Sequence, residues 1–113
     1  MGNSITLPQL YSILNSVGIP VYHYEVFLEG FPYISFMEME ASYSNASGQE
    51  WRETTNVIVD HLSKEEWGGE SLARLKKALL KNKVKFTAST TWDDKLKVVH
   101  TIIPLTVVQD MEV

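Results

Sequence analysis

The segment from Phe31 to Glu40 constrains the fold more than any other part of this chain. Its aromatic and β-branched residues favour a strand, and Pro32 stands where a strand can begin without losing a ladder hydrogen bond. Alternation places Tyr33 on one face and Ile34 on the other, so both faces are apolar at the amino end. Towards Glu40 the segment becomes polar. We therefore expect a strand that begins in the core and runs out to solvent or a partner.

A first helix is predicted ahead of this strand. Thr6 and Gln9 have the spacing of a capping box, and Pro8 lies in the first turn, where its missing N–H does no harm. Gly18 and Pro20 end the helix. The apolar stripe expected to face the core consists of Leu7, Leu10, Tyr11, Leu14 and Val17.

Two more strands are expected around the first. Val21–Tyr24 is a short strand candidate. The Ser, Asn and Gly residues of 41–50 indicate a polar loop. The chain then returns from Trp51 as a strand rich in β-branched residues, which closes at Asp60 and His61.

The second half predicts one helix and one hairpin. Ser63–Glu66 has capping-box spacing, and Glu70–Lys81 is the expected helix, ending at Asn82. Its inner stripe comprises Leu72, Leu75, Leu79 and Leu80. Residues 84–91 and 96–108 then form strands around a turn at 92–95, with Pro104 at a sheet edge or a bulge.

This order, α-β-β-β-α-β-β, predicts an α+β fold. Hairpins favour an antiparallel sheet of four to five strands, and two helices with one apolar stripe each are best buried on one of its faces. The length of 113 residues predicts a single domain over 1–113, with an ordered core at about 5–108. We expect a two-layer sandwich.

The charge distribution is asymmetric. Residues 1–60 carry seven acidic side chains and one basic one, a net charge of −6. Residues 61–113 carry seven acidic and nine basic side chains, a net charge of +2. An acidic chain argues against sequence-specific nucleic-acid binding. The lysines form either a solvated helix face or a basic surface that meets an acidic surface of a neighbour.

Catalytic machinery is not apparent in the sequence. The chain has no Cys, which excludes thiolate metal sites and cysteine nucleophiles. His23, His61 and His100 lack metal-ligand spacing, and there is no G-x-S-x-G or Walker-type glycine loop. The sequence also has no membrane-span or signal-peptide pattern. We expect neither an enzyme nor a cofactor or metal site. The glutamates around the hairpin are expected to be solvated: Glu38, Glu40, Glu50 and Glu53.

Several aromatic side chains are placed near strand ends or in loops, where Tyr and Trp are typical interface anchors. The alternative is that they cover the edges of the core. These residues are Tyr22, Tyr24, Phe31, Tyr33, Trp51, Trp67 and Trp92.

Five short motifs follow one another along the chain: Val17-Gly18-Ile19-Pro20-Val21, Phe31-Pro32-Tyr33-Ile34, Asn56-Val57-Ile58-Val59, Glu70 with Leu72, Leu75 and Leu79, and Thr91-Trp92-Asp93-Asp94. In this order they resemble the small tail-completion proteins of long-tailed bacteriophages and prophages, which are also called tail-terminator or tail-to-head joining proteins. The likeness covers roughly residues 5–107. Two features differ from the family: Ala46-Ser47 and Trp51 replace an Ala-Asp pair and a Tyr-like aromatic, and Gly68-Gly69 precedes the second helix.

The resemblance implies a virion structural protein that assembles in the host cytoplasm. Copies of the chain would form a ring, six-fold in symmetry, at the head-proximal end of the tail. The ring would contact the tail-tube protein on one side and a head-completion or connector protein on the other. The residues expected at subunit or partner interfaces are Glu38, Glu40, Ser44, Asn45, Trp51, Glu53, Arg74, Lys76, Lys77 and Trp92.

A second class of function remains open at this stage. A small α+β domain with an exposed hairpin is also compatible with a ligand-binding or regulatory module that has no phage role. An apolar pocket lined by convergent polar groups would favour that class. A free sheet edge used for ring formation would favour the first.

Overall fold

The computed structural model describes residues 5–112, except for the side chain of Ala46. The order of its elements confirms the predicted order, with one short 3-10 helix added before the second α-helix. The elements are α1 (Leu7–Asn15), β1 (Val21–His23), β2 (Tyr33–Ser47), β3 (Glu50–Ser63), the 3-10 helix (Glu66–Gly68), α2 (Gly69–Lys81), β4 (Ser89–Asp93) and β5 (Val98–Glu112).

One five-stranded sheet has the order β1-β2-β3-β5-β4. The pairs of β2 with β3, β3 with β5 and β4 with β5 are antiparallel, whereas β1 runs parallel to β2. The sheet is therefore mixed, and the expectation of a purely antiparallel sheet is wrong for β1. The residue pattern of 21–24 predicts an extended backbone, but it does not predict whether the strand runs parallel or antiparallel to its neighbour. Its direction is set by the connection at 24–32, which carries the chain back to the start of β2.

Both helices pack on the same face of the sheet, which confirms the two-layer α+β sandwich. A single cluster joins the buried residues of α1 and α2 to those of β2, β3 and β5. Ile34 lies in this cluster and is fully buried. The cluster comprises Ile5, Leu10, Ile13, Leu14, Val17, Ile34, Phe36, Val57, Val59, Leu72, Leu75, Leu79, Val84, Ile103, Leu105 and Val107.

Helix α1 begins as predicted. The Gln9 N–H donates to Thr6 Oγ1 at 3.3 Å, and the Thr6 N–H donates to Gln9 Oε1 at 2.8 Å, which is a complete capping box. The predicted stripe is wrong at Tyr11, which is exposed, and it missed Ile13, which is buried. Tyr11 instead lies at the rim, with its ring centroid 5.9 Å from that of Phe36.

Helix α2 confirms the predicted range and its end at Asn82, but the predicted inner stripe is wrong at Leu80, which is exposed, and the second capping box is wrong. The Ser63 hydroxyl accepts from the Glu65 N–H at 3.1 Å, two residues on, which makes a turn rather than a helix start. The 3-10 helix then intervenes, and α2 begins at Gly69 without a side-chain cap.

The opposite face of the sheet has a smaller apolar cluster, centred on Tyr33, Leu62 and Val98. The connection between β1 and β2 covers it, since Tyr33 Oη donates to the Phe27 carbonyl at 2.8 Å. The Ser35 hydroxyl likewise donates to the Glu25 carbonyl at 2.7 Å. The Tyr and Ser at the start of β2 thus bind the connection that precedes them.

The largest correction concerns the predicted loop at 41–50. It is strand up to Ser47, and only Gly48 and Gln49 form the turn. Pairing with β3 prevails because Ser and Asn have only a weak local preference for turns, which a cross-strand partner overrides. Residues 84–88 are not strand, and β5 extends to Glu112. Pro104 lies beyond the end of β4, which pairs only as far as Ile102, so its predicted edge position is confirmed.

Candidate interaction surface

Three strands extend beyond the helical layer and give the molecule its 51 Å length. We call residues 41–53 and 109–112 the arm. Every described side chain from Ala41 to Arg52 and from Gln109 to Glu112 is exposed. Neither face of the sheet is covered here, so both are available to a partner.

Cross-strand contacts hold the arm together despite its exposure. Arg52 Nε donates to Asp110 Oδ1 at 2.9 Å between β3 and β5. Tyr43 Oη donates to Glu53 Oε2 at 2.7 Å between β2 and β3, and this hydrogen bond raises the pKa of the tyrosine. Such exposed pairs contribute little to the free energy of unfolding, but they favour this alignment of the three strands.

The two faces of the arm differ in chemistry. Trp51 pairs with Asn45 on one side and with Met111 on the other, so these side chains share a face with Tyr43 and Glu53. This aromatic face continues the side of the sheet that carries the helices. Trp51 remains 37% exposed. Exposed aromatic and Met side chains on an uncovered sheet are typical of a binding surface.

The polar face of the arm carries Ser44 opposite Arg52, together with Asp110. Glu40 pairs with Asn56 after a bulge at Met39, which places it on this same side of the sheet. The bulge explains why Glu38 and Glu40 lie on opposite faces.

The outer edge of β2 is open along the arm. β1 pairs only with Ile34–Phe36, and among residues 5–112 no other strand lies beside β2 on that side. Native proteins protect such edges with Lys, Pro or bulges. Residues 37–47 contain no Lys, Arg or Pro, and the edge is interrupted by the bulge at Met39 and by a second irregularity between Asn45 and Ser47. The backbone from Ala41 to Asn45 can therefore pair with another strand.

The basic residues expected at an interface have different surroundings. Arg74 donates to the Val17 carbonyl at 3.0 Å and lies 3.1 Å from Glu70, so it ties α2 to the end of α1. Lys76 is half-buried and near His61, and Lys77 is exposed.

The ten expected interface residues therefore do not form one surface. Ser44, Asn45, Trp51 and Glu53 belong to the arm, with Glu40 close to its base. Glu38 lies outside the arm and is hydrogen bonded to His23. Trp92 is 56% exposed at the opposite end of the sheet, beside the turn into β5.

Sequence reasoning missed two exposed side chains of the arm. Tyr43 was assigned to a loop, although it lies two residues from both Ala41 and Asn45, the spacing of residues on one face of a strand. Met111 lies beyond the predicted end of the last strand, but it continues the alternation of Val107 and Gln109. Trp67, one of the aromatics that the sequence placed near strand ends or in loops, is 87% exposed.

The three histidines have separate environments. His23 is hydrogen bonded to Glu38 and stacks on Phe36, with ring centroids 4.4 Å apart. His100 Nε2 lies 2.7 Å from Asp60 Oδ1, and this hydrogen bond raises the pKa of the histidine.

His61 is fully buried beneath α2, and its Nε2 shares a 2.7 Å hydrogen bond with Ser71 Oγ. Its Nδ1 has no hydrogen-bond partner. Burial lowers the pKa of His61 to about 4, and the charge of Lys76 adds to this effect. The side chain is neutral at pH 7.

Within residues 5–112, no three His, Asp or Glu side chains lie close enough together to hold a metal ion. No helix in that part of the chain is long and apolar enough to cross a membrane.

Comparison with known proteins identifies no family. No protein-family model matches the chain, and no curated protein matches it.

Proposed function

We propose that this chain is a structural building block that assembles with copies of itself into a ring. The observation that carries the proposal is the arm, which presents an open β2 edge and an uncovered aromatic face. An unprotected edge of this length is avoided in proteins that remain monomeric. The resemblance to tail-completion proteins supplies the biological setting.

In that setting the ring completes the tail tube of a long-tailed phage and joins it to the head connector. The proposed partners are therefore a second copy, the tail-tube protein and a head-completion or connector protein. A ring needs a heterologous contact, in which one surface of the chain meets a different surface of the next copy. The exposed basic residues of α2 and the acidic surfaces elsewhere suit such a contact.

Two acidic surfaces are available to the basic one. Glu40 and Glu50 are exposed on and beside the arm, and Glu65 and Glu66 are exposed in the turn before α2. Glu38 and Glu53 are already hydrogen bonded, to His23 and Tyr43.

The ligand-binding alternative has less support. The cleft that adjoins the amino end of α1 has Glu38 and Glu53 beside apolar Leu7 and Pro8, as that alternative requires. Its volume is about 240 Å³, below the roughly 300–1,000 Å³ of small-molecule sites, and is large enough for one side chain. A larger cleft of about 730 Å³ beside Pro104 is wide open to solvent, so it would leave much of a small ligand exposed.

Replacing Trp51 by Ala tests the role of the arm. We expect the dissociation constant for self-association to rise about tenfold or more, because anchoring aromatics dominate interfaces. Sedimentation velocity over a range of concentrations measures this, with and without purified tail tubes from the same phage. Leu28→Ala is the matched control, since Leu28 is 77% exposed outside the arm. The proposed function is wrong if the unaltered protein stays monomeric at high concentration and on tail tubes.

Reversing Lys77 and Lys81 to Glu tests the basic surface. Both side chains are exposed, so we expect monomer stability to change by no more than about 0.5 kcal/mol. Lys76 is unsuitable, because it is half-buried near His61. Assembly should weaken in the variant. In the unaltered protein it should weaken as salt rises past about 0.15 M, where the screening length is about 8 Å. Sedimentation that is indifferent to both changes would assign these lysines to a solvated face.

A further inference from the structure

Trp67 is held in solvent by a strained turn. The side chain is 87% exposed, and its backbone is left-handed, with φ 59° and ψ 19°. Bulky residues rarely adopt this conformation. A large aromatic residue that is both strained and exposed indicates a constraint other than folding, since such strain persists where it serves a function.

The two residues that follow Trp67 fix its direction. Gly68 and Gly69 also have positive φ angles, 85° and 73°. A Cβ atom at Gly68 would lie 2.3 Å from Leu72 Cδ2, and one at Gly69 would lie 2.1 Å from Glu65 Oε2. Only glycine fits at either position. Packing of this turn against α2 therefore determines how Trp67 projects.

A cleft that suits such a side chain lies at the other end of α2. It is open, has a volume of about 730 Å³, and is lined mainly by apolar side chains. Leu80 is 63% exposed within it. Pro104 forms part of the floor, at the stretch of β5 that β4 does not reach. The remaining lining residues are Val84, Lys85, Phe86 and Thr87.

The charges around these two features are opposite. The exposed side chain of Trp67, which we call the knob, is flanked by Glu65, Glu66 and Glu70, all exposed. Residues 71–92 contain six basic side chains and no acidic one, and Lys81, Lys83 and Lys85 are exposed at the cleft end of α2. Complementary charges of this kind favour the correct pairing and speed association.

We propose that Trp67 of one copy inserts into the Leu80–Phe86 cleft of the next copy, an inference that rests on the self-assembly proposed above. The knob and the cleft belong to one chain but cannot meet within it, because the 13 residues of α2 separate them by about 20 Å. A knob on one surface and a cleft on another make a head-to-tail contact, which closes into a ring when the rotation allows.

Directed cross-linking tests the contact, because the chain has no native Cys. Glu66→Cys and Lys81→Cys are made as separate proteins, distinguished by a tag and mixed under mild oxidation. We expect the mixed dimer, which contains one copy of each variant, to exceed both homodimers at least tenfold. Each variant carries a single Cys, so every disulfide joins two copies. The bond forms only where the two Cα atoms come within about 7 Å of each other. Equal yields of all three dimers, or homodimers alone, would overturn the contact.

Trp67→Asn provides the second readout. Asn tolerates a left-handed backbone, so the turn and the fold are retained while the knob is lost. We expect the dissociation constant for self-association to rise at least tenfold, with the thermal midpoint of the monomer unchanged or higher. Leu28→Ala again serves as the control. Unchanged assembly of Trp67→Asn would overturn the proposed contact but not the proposed function. Absence of assembly in the unaltered protein would overturn both.

A charge swap identifies which acidic surface meets the lysines. Lys81→Glu should weaken assembly, and adding Glu66→Lys should restore at least half of the lost affinity. Adding Glu50→Lys on the arm instead should restore none. Restoration by the arm reversal alone would show that the basic surface meets the arm and would overturn the knob-and-cleft contact.

Discussion

Ile34→Ala is expected to lower the free energy of unfolding by about 2–5 kcal/mol, as truncation of a buried aliphatic side chain does. Ile34 has 0% exposure and lies in the cluster that joins both helices to the sheet. It is flanked on both sides, by Val21 of β1 and His61 of β3. A cavity here has little room to collapse, so the loss should approach the upper part of that range. Urea denaturation at pH 7 measures it.

Ser44→Ala is the matched control on the same strand. Ser44 is exposed on the polar face of the arm, so its replacement should change the free energy of unfolding by no more than about 0.5 kcal/mol. Equal losses in the two variants would mean that the core is not centred on the start of β2.

The contrast between these two residues also shows what the sequence could predict about the fold. The apolar residues from Tyr33 to Phe36 identified the buried start of β2, where side chains alternate between the two faces and both faces are covered, so that all four are buried. The same reasoning failed from residue 41 onwards. Ser and Asn favour turns locally, and the strand forms because β3 supplies a partner distant in sequence. A single sequence contains no direct sign of that pairing.

The candidate surface was predictable to a similar degree. The exposure of Trp51 could be predicted, since a Trp beside a polar segment is hard to bury in a small domain. Its neighbours on the aromatic face, Tyr43 and Met111, depend on the register of three strands. The parallel direction of β1 depends on a connection that packs over the second face. Residue patterns report neither register nor direction.

Acid is expected to destabilise the protein through His61. This side chain is buried in the main layer, and only one of its two ring nitrogens has a hydrogen-bond partner. Burial lowers its pKa to about 4, whereas an unfolded chain has a histidine pKa of about 6.5. Protonation would place an uncompensated charge beneath α2, near Lys76.

The sign follows from proton binding. Between pH 6.5 and about 4 the unfolded state holds a proton at this site that the folded state lacks, so stability falls as the pH falls. The whole window is worth about 3 kcal/mol, at 1.36 kcal/mol per pKa unit. His100 acts in the opposite sense. Its pKa is raised by Asp60, so its contribution is complete below about pH 6.5 and is lost only as the pH rises through the raised value. The two histidines therefore titrate in separate windows.

Urea denaturation at pH 7.5 and pH 5.0 tests this assignment, and the His61 site should lower the stability of the unaltered protein by about 2 kcal/mol between them. Replacing His61 by Leu together with Ser71 by Ala removes the titrating ring and its hydroxyl partner, so the loss attributable to this site should disappear. The Asp and Glu side chains titrate alike in both proteins, so their contribution cancels in the comparison. His100→Gln should lose at least as much stability as the unaltered protein, because the variant lacks the His100 contribution that grows as the pH falls from 7.5. If the double variant and the unaltered protein show the same dependence on pH, a group other than His61 makes this fold sensitive to acid.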